Sequence, residues 1–175
     1  MSDGVLARLA QLLREEGGPI ATLVDPQAGG AHARIRRPSP AAAAAGPRVE
    51  RRREQYELLV EAIYEGYLLH YASPRVVRAP EADLSLLAGD RLYAIGLALL
   101  VALGDTVAVA ELADTIMLSA LAQGAGDAAL AEAVWAAGAR AVGWGPNASH
   151  RHAKDLVLAG APNALEAMRT SAAGA

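Results

Sequence analysis

From Leu92 to Gly104 the chain runs thirteen residues without a charge, almost all of them apolar. The run is shorter than the roughly 20 residues that cross a bilayer. It is also apolar almost all round, so it predicts a central, buried helix and a helical fold large enough to enclose it. Composition agrees with that inference. The 175 residues are 53% hydrophobic but only 4% aromatic, with no Phe and about a quarter Ala, which favours close-packed helices over sheets of β-branched and aromatic side chains. The expectation is an all-α protein, a bundle of about four core helices with a short N-terminal helix and a mobile linker. The complete lack of Cys excludes a disulfide framework, a thiolate nucleophile and any Cys-ligated metal, and it points to the cytoplasm. The N-terminus has no basic segment followed by an apolar core, so no signal peptide is expected.

Along the chain, residues 3–16 show a helical apolar stripe (Val5, Leu6, Leu9, Leu12, Leu13) that stops at Gly17-Gly18, giving an N-terminal helical segment over 1–24. Residues 25–47 carry Pro26, Gly29-Gly30, Pro38-Ser39-Pro40, five alanines and Gly46-Pro47, and without a periodic apolar face they are expected to form a flexible linker. Residues 48–175 are expected to form the helical domain, with helices over 49–70, 83–103, 106–122, 128–143, 149–158 and 163–170. Asp105 and Asp127 stand where caps belong.

Charge is distributed unevenly. Between 31 and 53 there are seven arginines (Arg34, Arg36, Arg37, Arg48, Arg51, Arg52, Arg53) against the single acid Glu50, a local charge of +6 that leaves −9 on the remainder of a chain whose net charge is −3. These arginines are the candidates for contact with an anionic partner, a membrane surface or the protein's own body. They fall mostly in the linker and not on a folded reader, so nucleic acid is not expected. From Leu92 to Ala139 there are five acids and no Lys or Arg, which predicts an acidic surface there.

Few residues are arranged for chemistry. Glu57, Glu61 and Glu65 follow an i, i+4, i+8 spacing that would align carboxylates for Mg²⁺, but with Arg53 one turn earlier the stripe is expected to be a solvated helix face. His150 and His152 are two apart and point to opposite sides of a helix, so an exposed helix start is expected there. No metal and no cofactor is expected. His70 lies in the apolar arc of its helix beside Leu59, Ile63 and Gly66, as a hydrogen-bonded core histidine or a pocket residue; Tyr56, Tyr64, Tyr67 and Tyr71 on the same helix read as core and interface. The chain has no Gly-rich phosphate loop, no Gly-x-Ser-x-Gly elbow and no His-Glu-x-x-His.

Leu86-Leu-Ala-Gly89-Asp90-Arg-Leu-Tyr-Ala94, followed by an apolar run and Gly104-Asp105, resembles a motif of the trans-isoprenyl (polyprenyl) diphosphate synthases, and Glu61-Ala-Ile-Tyr-Glu-Gly-Tyr-Leu-Leu-His70 resembles the helix that precedes it there. The resemblance covers roughly Tyr56 to Gln123. It implies an all-α fold, and it makes His70, Tyr67, Gly66, Gly89 and Asp90 the candidates for a ligand pocket. Where the family places paired aspartates that hold Mg²⁺ on the diphosphate, this chain has Tyr71-Ala72, and no second Asp-rich motif follows. Without those carboxylates the leaving group is not neutralised, so no catalytic residue is carried over and no activity is expected of the chain alone. In this respect it is similar to the small, non-catalytic subunit of two-component polyprenyl diphosphate synthases, which implies a hetero-oligomer with a catalytic prenyl synthase subunit. A helical adaptor unrelated to isoprenoids is the alternative. A third expectation is geometric: Gly66 and Gly89 mark where two helices cross closely.

Overall fold

In a computed structural model the described residues, 2–28 and 39–174, fold into nine α-helices. The class is all-α, and the only strand-like pairing among these residues is a single antiparallel bridge between Val24 and Val77. The helices are α1 (Ser2–Glu16), α2 (Gly18–Thr22), α3 (Ser39–Ala45), α4 (Arg53–Tyr71), α5 (Ala82–Leu103), α6 (Thr106–Gly124), α7 (Ala128–Trp144), α8 (Ala148–Leu158) and α9 (Ala164–Ala173), with a 3-10 turn at Pro47–Arg52. They divide into two compact units. One comprises the described residues of Met1–Arg37 with Glu54–Leu103; the other comprises the described residues of Pro38–Arg53 with Gly104–Ala175. The bounds of these units differ from the segments expected from composition, 1–24, 25–47 and 48–175.

In the first unit, Val5, Leu6, Leu9 and Leu13 of α1 enter the same core as Leu69 of α4 and Leu92 and Ile95 of α5. The N-terminal helix is therefore a member of this core and not an appendage. It stops at Gly17 and Gly18, whose φ values of 69° and 63° lie in the left-handed region that favours glycine. Residues 72–80 join α4 to α5 as a strap. Their Val76 and Val77 are fully buried, and the strap pairs with residues after α2: the Asp25 amide donates to the Val76 carbonyl at 2.8 Å and the Arg78 amide to the Leu23 carbonyl at 2.8 Å.

The second unit is organised around α7, which buries Val134, Trp135, Ala137, Val142 and Gly143 and packs on α3, α6 and α9. Asp105, Asp127 and Asn147 cap α6, α7 and α8 by accepting from the amides of Ala108, Leu130 and His150 at 3.1, 2.9 and 2.7 Å; each cap of this kind contributes about 1 kcal/mol. The five alanines Ala41–Ala45 were expected in a linker. They form most of α3, because Ala is the best helix former and Pro40 suits the first helical turn. Ala43 and Ala44 are buried, and a Cβ added to Gly143 of α7 would stand 2.6 Å from the Ala43 carbonyl oxygen, so small side chains are what let α3 reach α7. Asp25 is likewise built into the first unit. Residues 29–38 of the expected linker lie outside the described residues.

The helix expected to be central, α5, is not enclosed. Ala88, Gly89, Leu92, Gly96 and Leu100 face inward. The opposite side, with Leu87, Ala94, Ala98 and Val101, is exposed, Leu87 at 66% and Val101 at 68%. By length and composition alone α5 and α6 are apolar enough to cross a membrane.

Candidate functional site

Helices α4 and α5 cross where sequence places their glycines. A Cβ added to Gly66 would stand 2.9 Å from the Gly89 carbonyl oxygen, and one added to Gly89 would stand 3.0 Å from the Gly66 carbonyl oxygen. The backbones therefore meet with nothing between them. His70 is held beside this crossing, with its ring 2.6 Å from where a Gly89 Cβ would be. It stacks on Tyr93 with centroids 5.3 Å apart and planes within 5°. Its Nε2 lies 3.2 Å from Asp90 Oδ1, but without hydrogen-bond alignment. Tyr67 bridges Tyr64 and Tyr71 at 5.8 and 5.4 Å between centroids, so the aromatic side chains continue as a seam along α4.

The structure thus brings together all five pocket candidates, His70, Tyr67, Gly66, Gly89 and Asp90, but as a packed seam. Tyr67 is buried, and Asp90 is the member most open to solvent. Tyr93, which sequence reasoning passed over although it lies four residues after Gly89, closes the other side of His70. Burial first, and then Tyr71, Tyr67 and the Asp90 charge, push its phenol far above its ordinary range, so it stays protonated. What this arrangement offers chemically is a rigid aromatic wall with one carboxylate at its edge.

Two expectations, one about the acids of α4 and one about His150, are corrected. Glu61 and Glu65 are not on a solvated face: they are 4% and 0% exposed, turned toward the strap. Both pair with the Arg75 guanidinium, which also lies over the Tyr64 ring at 5.2 Å. Only Glu57 of the stripe reaches the outside, where Arg8 of α1 donates to it at 2.8 Å. The sequence clue was Arg75 itself, ten residues beyond Glu65, placed by a strap whose course periodicity does not reveal.

His150 is the second correction. It was expected at an exposed helix start, yet it is 4% exposed, with Nδ1 2.8 Å from Ser171 Oγ of α9 and Nε2 2.9 Å from Glu111 Oε2 of α6. Lys154, one turn along α8, donates to both Glu111 oxygens at 3.1 Å and to Asp114 at 2.7 Å. Burial pushes the Glu111 carboxyl up, but the hydrogen bonds and charges of His150 and Lys154 outweigh it and hold the group below its ordinary value. Burial works against the Lys154 ammonium, whose bonds to Asp114 and Glu111 nonetheless raise it above its ordinary value. The serine, histidine and carboxylate have the composition of a hydrolytic relay, but all three are buried and the hydroxyl is turned into the protein, so they bolt α6, α8 and α9 together. Of the five acids expected to form an acidic surface between Leu92 and Ala139, Glu132 is exposed and the other four are engaged within the second unit. Glu111 and Asp114 hold Lys154, Asp127 caps α7, and Asp105 caps α6 while pairing with Arg48.

Among the arginine candidates, Arg48 is a tie within the second unit, donating to the Val142 carbonyl at 3.1 Å as well as pairing with Asp105. Arg51 and Arg52 in the 3-10 turn and Arg53, the first residue of α4, are exposed; Arg34, Arg36 and Arg37 lie outside the described residues. No group of three or more His, Asp or Glu side chains able to hold a metal ion occurs among the described residues. No family model, curated protein or solved structure matches this chain.

Proposed function

We propose that the chain is a catalytically silent helical subunit, cytoplasmic in setting, that works by docking a partner protein on the outer face of α5. The observation that carries this reading is the two-sidedness of that helix. Its inner side is sealed against α4 by glycines, while Leu87, Ala94, Ala98 and Val101 present apolar surface to solvent along one line. Exposed apolar stripes of this kind are a feature of interaction surfaces. The partner that the resemblance favours is a catalytic prenyl synthase subunit, since the most specific of the similar residues, Leu86 to Ala94, lie on this same helix. The contact of the α4 and α5 backbones at Gly66 and Gly89 speaks against isoprenoid binding at that crossing, where a prenyl chain would need an apolar channel, and so favours an accessory role over a lipid-carrying one. It equally accommodates the alternative, an adaptor for a different protein.

The two readings separate in solution. The chain is mixed with a catalytic prenyl synthase subunit from the same cell and sized by chromatography with light scattering. A defined complex is expected for the parent and none for Leu87→Glu/Val101→Glu, with both chains melting at the same temperature. A complex formed equally by the double variant would remove α5 as the docking face. Absence of any complex with the synthase, with capture of a different, identified partner by the parent but not by the variant, would establish the adaptor. Flotation with anionic vesicles that depends on Leu87 and Val101 would transfer the face to a membrane.

A further inference from the structure

Glu61 and Glu65 put two carboxylates into a buried space, where both meet the one guanidinium of the partly buried Arg75. Were both acids ionised, the group would carry a net negative charge there, and burial penalises such a charge strongly. One proton on the pair removes it. The hydrogen bonds decide which acid takes it. Glu65 Oε1 accepts from the backbone amides of Arg75 at 2.6 Å, Val76 at 2.6 Å and Val77 at 3.2 Å, and three N–H donors on one oxygen stabilise the anion. Glu61 accepts only from the Arg75 side chain among its described bonds. The remaining charges on this flank are already engaged: Glu57 and Glu54 of α4 with Arg8 of α1, and Arg78 of the strap with Asp25.

We propose that Glu61, Glu65 and Arg75 form a one-proton latch, in which Glu65 grips the strap 72–80 through its backbone amides, Glu61 holds the single proton while the strap is closed, and loss of that proton loosens it. The latch is placed to matter. Two of the three residues whose amides Glu65 holds, Val76 and Val77, also pair with the segment after α2, so the strap ties α4 to the N-terminal part of its unit. Glu61 titrates in a useful range. Burial, then the neighbouring Glu65 and Glu57 charges, raise it from 4.5 to about 7 against the pull of Arg75. A carboxyl raised in the closed state favours closure fully below its ordinary value, and the advantage is lost as pH rises through about 7.

Hydrogen exchange at the Val76 and Val77 amides, divided by the intrinsic chemical rate at each pH, reads the latch directly. Protection in the parent is expected to fall on the order of 10- to 100-fold between about pH 5 and about pH 8, and to be flat in Glu61→Gln, where the amide keeps an acceptor for Arg75 but has no proton to lose. Protection that is independent of pH in the parent, or an unchanged slope in Glu61→Gln, would overturn the proposal. If the variant does not fold, the carboxyl carbon of Glu61 in the parent is followed by NMR. A midpoint near neutrality supports the latch, whereas titration near the ordinary carboxyl value, or titration of Glu65 in its place, refutes it.

Discussion

Each unit buries a carboxylate cluster, and the two clusters respond to burial in opposite ways. In the first, Glu61 and Glu65 share one guanidinium, and burial raises Glu61. In the second, Glu111 is buried to a similar degree, but it meets Lys154 and His150 and stays below its ordinary value. Burial alone does not set the charge of an acid; the number and kind of partners do. Where cations and hydrogen-bond donors suffice, the carboxylate remains an anion and serves as a bolt. Where they fall one short, a proton fills the deficit and the contact becomes sensitive to pH.

The most severe way to break the comparison is to remove the compensated acid. Glu111→Leu leaves Lys154 with only Asp114 and strips His150 of one of its two partners, so it is expected to cost about 3–5 kcal/mol, the usual loss when one member of a buried pair is deleted. Urea unfolding measures it, and a loss below about 1 kcal/mol would mean that the bolt is dispensable. The two clusters should also differ in the sign of their pH response. Glu111, lowered on folding, contributes stability above its ordinary carboxyl value of 4.5 that disappears as pH falls through its folded value. Lys154, raised on folding, contributes below its ordinary 10.5 and loses that contribution as pH rises through its folded value. Glu61 contributes below 4.5 and is lost through about 7. Melting curves of the parent and Glu61→Gln should therefore diverge by about 2 kcal/mol between about pH 5 and pH 8, with the variant gaining relative to the parent as pH rises. Parallel curves would erase the difference between the clusters.

A third test concerns packing, in which the two units are alike. Gly89 in the first and Gly143 in the second each meet a facing carbonyl oxygen, at 3.0 and 2.6 Å from an added Cβ. Gly89→Leu and Gly143→Leu are each expected to destabilise by about 1–3 kcal/mol through overpacking, whereas Gly124→Ala, where nothing lies within 4 Å, should be neutral or slightly stabilising. Equal melting temperatures for Gly89→Leu and the parent would mean that the helices slide apart there without cost.

The sequence was informative wherever the physics is local. The helical class, the caps Asp105 and Asp127, the stop at Gly17-Gly18 and the crossing at Gly66 and Gly89 all follow from spacing and from what a glycine or a capping carboxylate does. It misled where a residue's role depends on what folds back onto it. Glu61 and Glu65 have the spacing of a solvated stripe and are buried because the strap returns with Arg75. His150 looked exposed because Ser171 and Glu111 are 21 and 39 residues away. Ala41–Ala45 has the low complexity of a linker and the propensity of a helix, and its contact with Gly143 decides between them.

The smallest expected effect bears on the proposed docking face. On α5, Leu87 and Val101 are separated by two heptads, so an ideal helix places them within about 40° of each other, and both are more than 60% exposed. Replacing a side chain already in water removes little buried area, so Leu87→Glu and Val101→Glu are each expected to change stability by less than about 0.5 kcal/mol. Inward on the same helix the outcome should differ. Leu92 is fully buried, and Leu92→Ala should cost about 2–5 kcal/mol. This contrast within one helix separates a docking face from a core face without knowing the partner. If Leu87→Glu unfolds the chain as Leu92→Ala does, the outer side of α5 is covered in solution, and the surface proposed for a partner is already occupied.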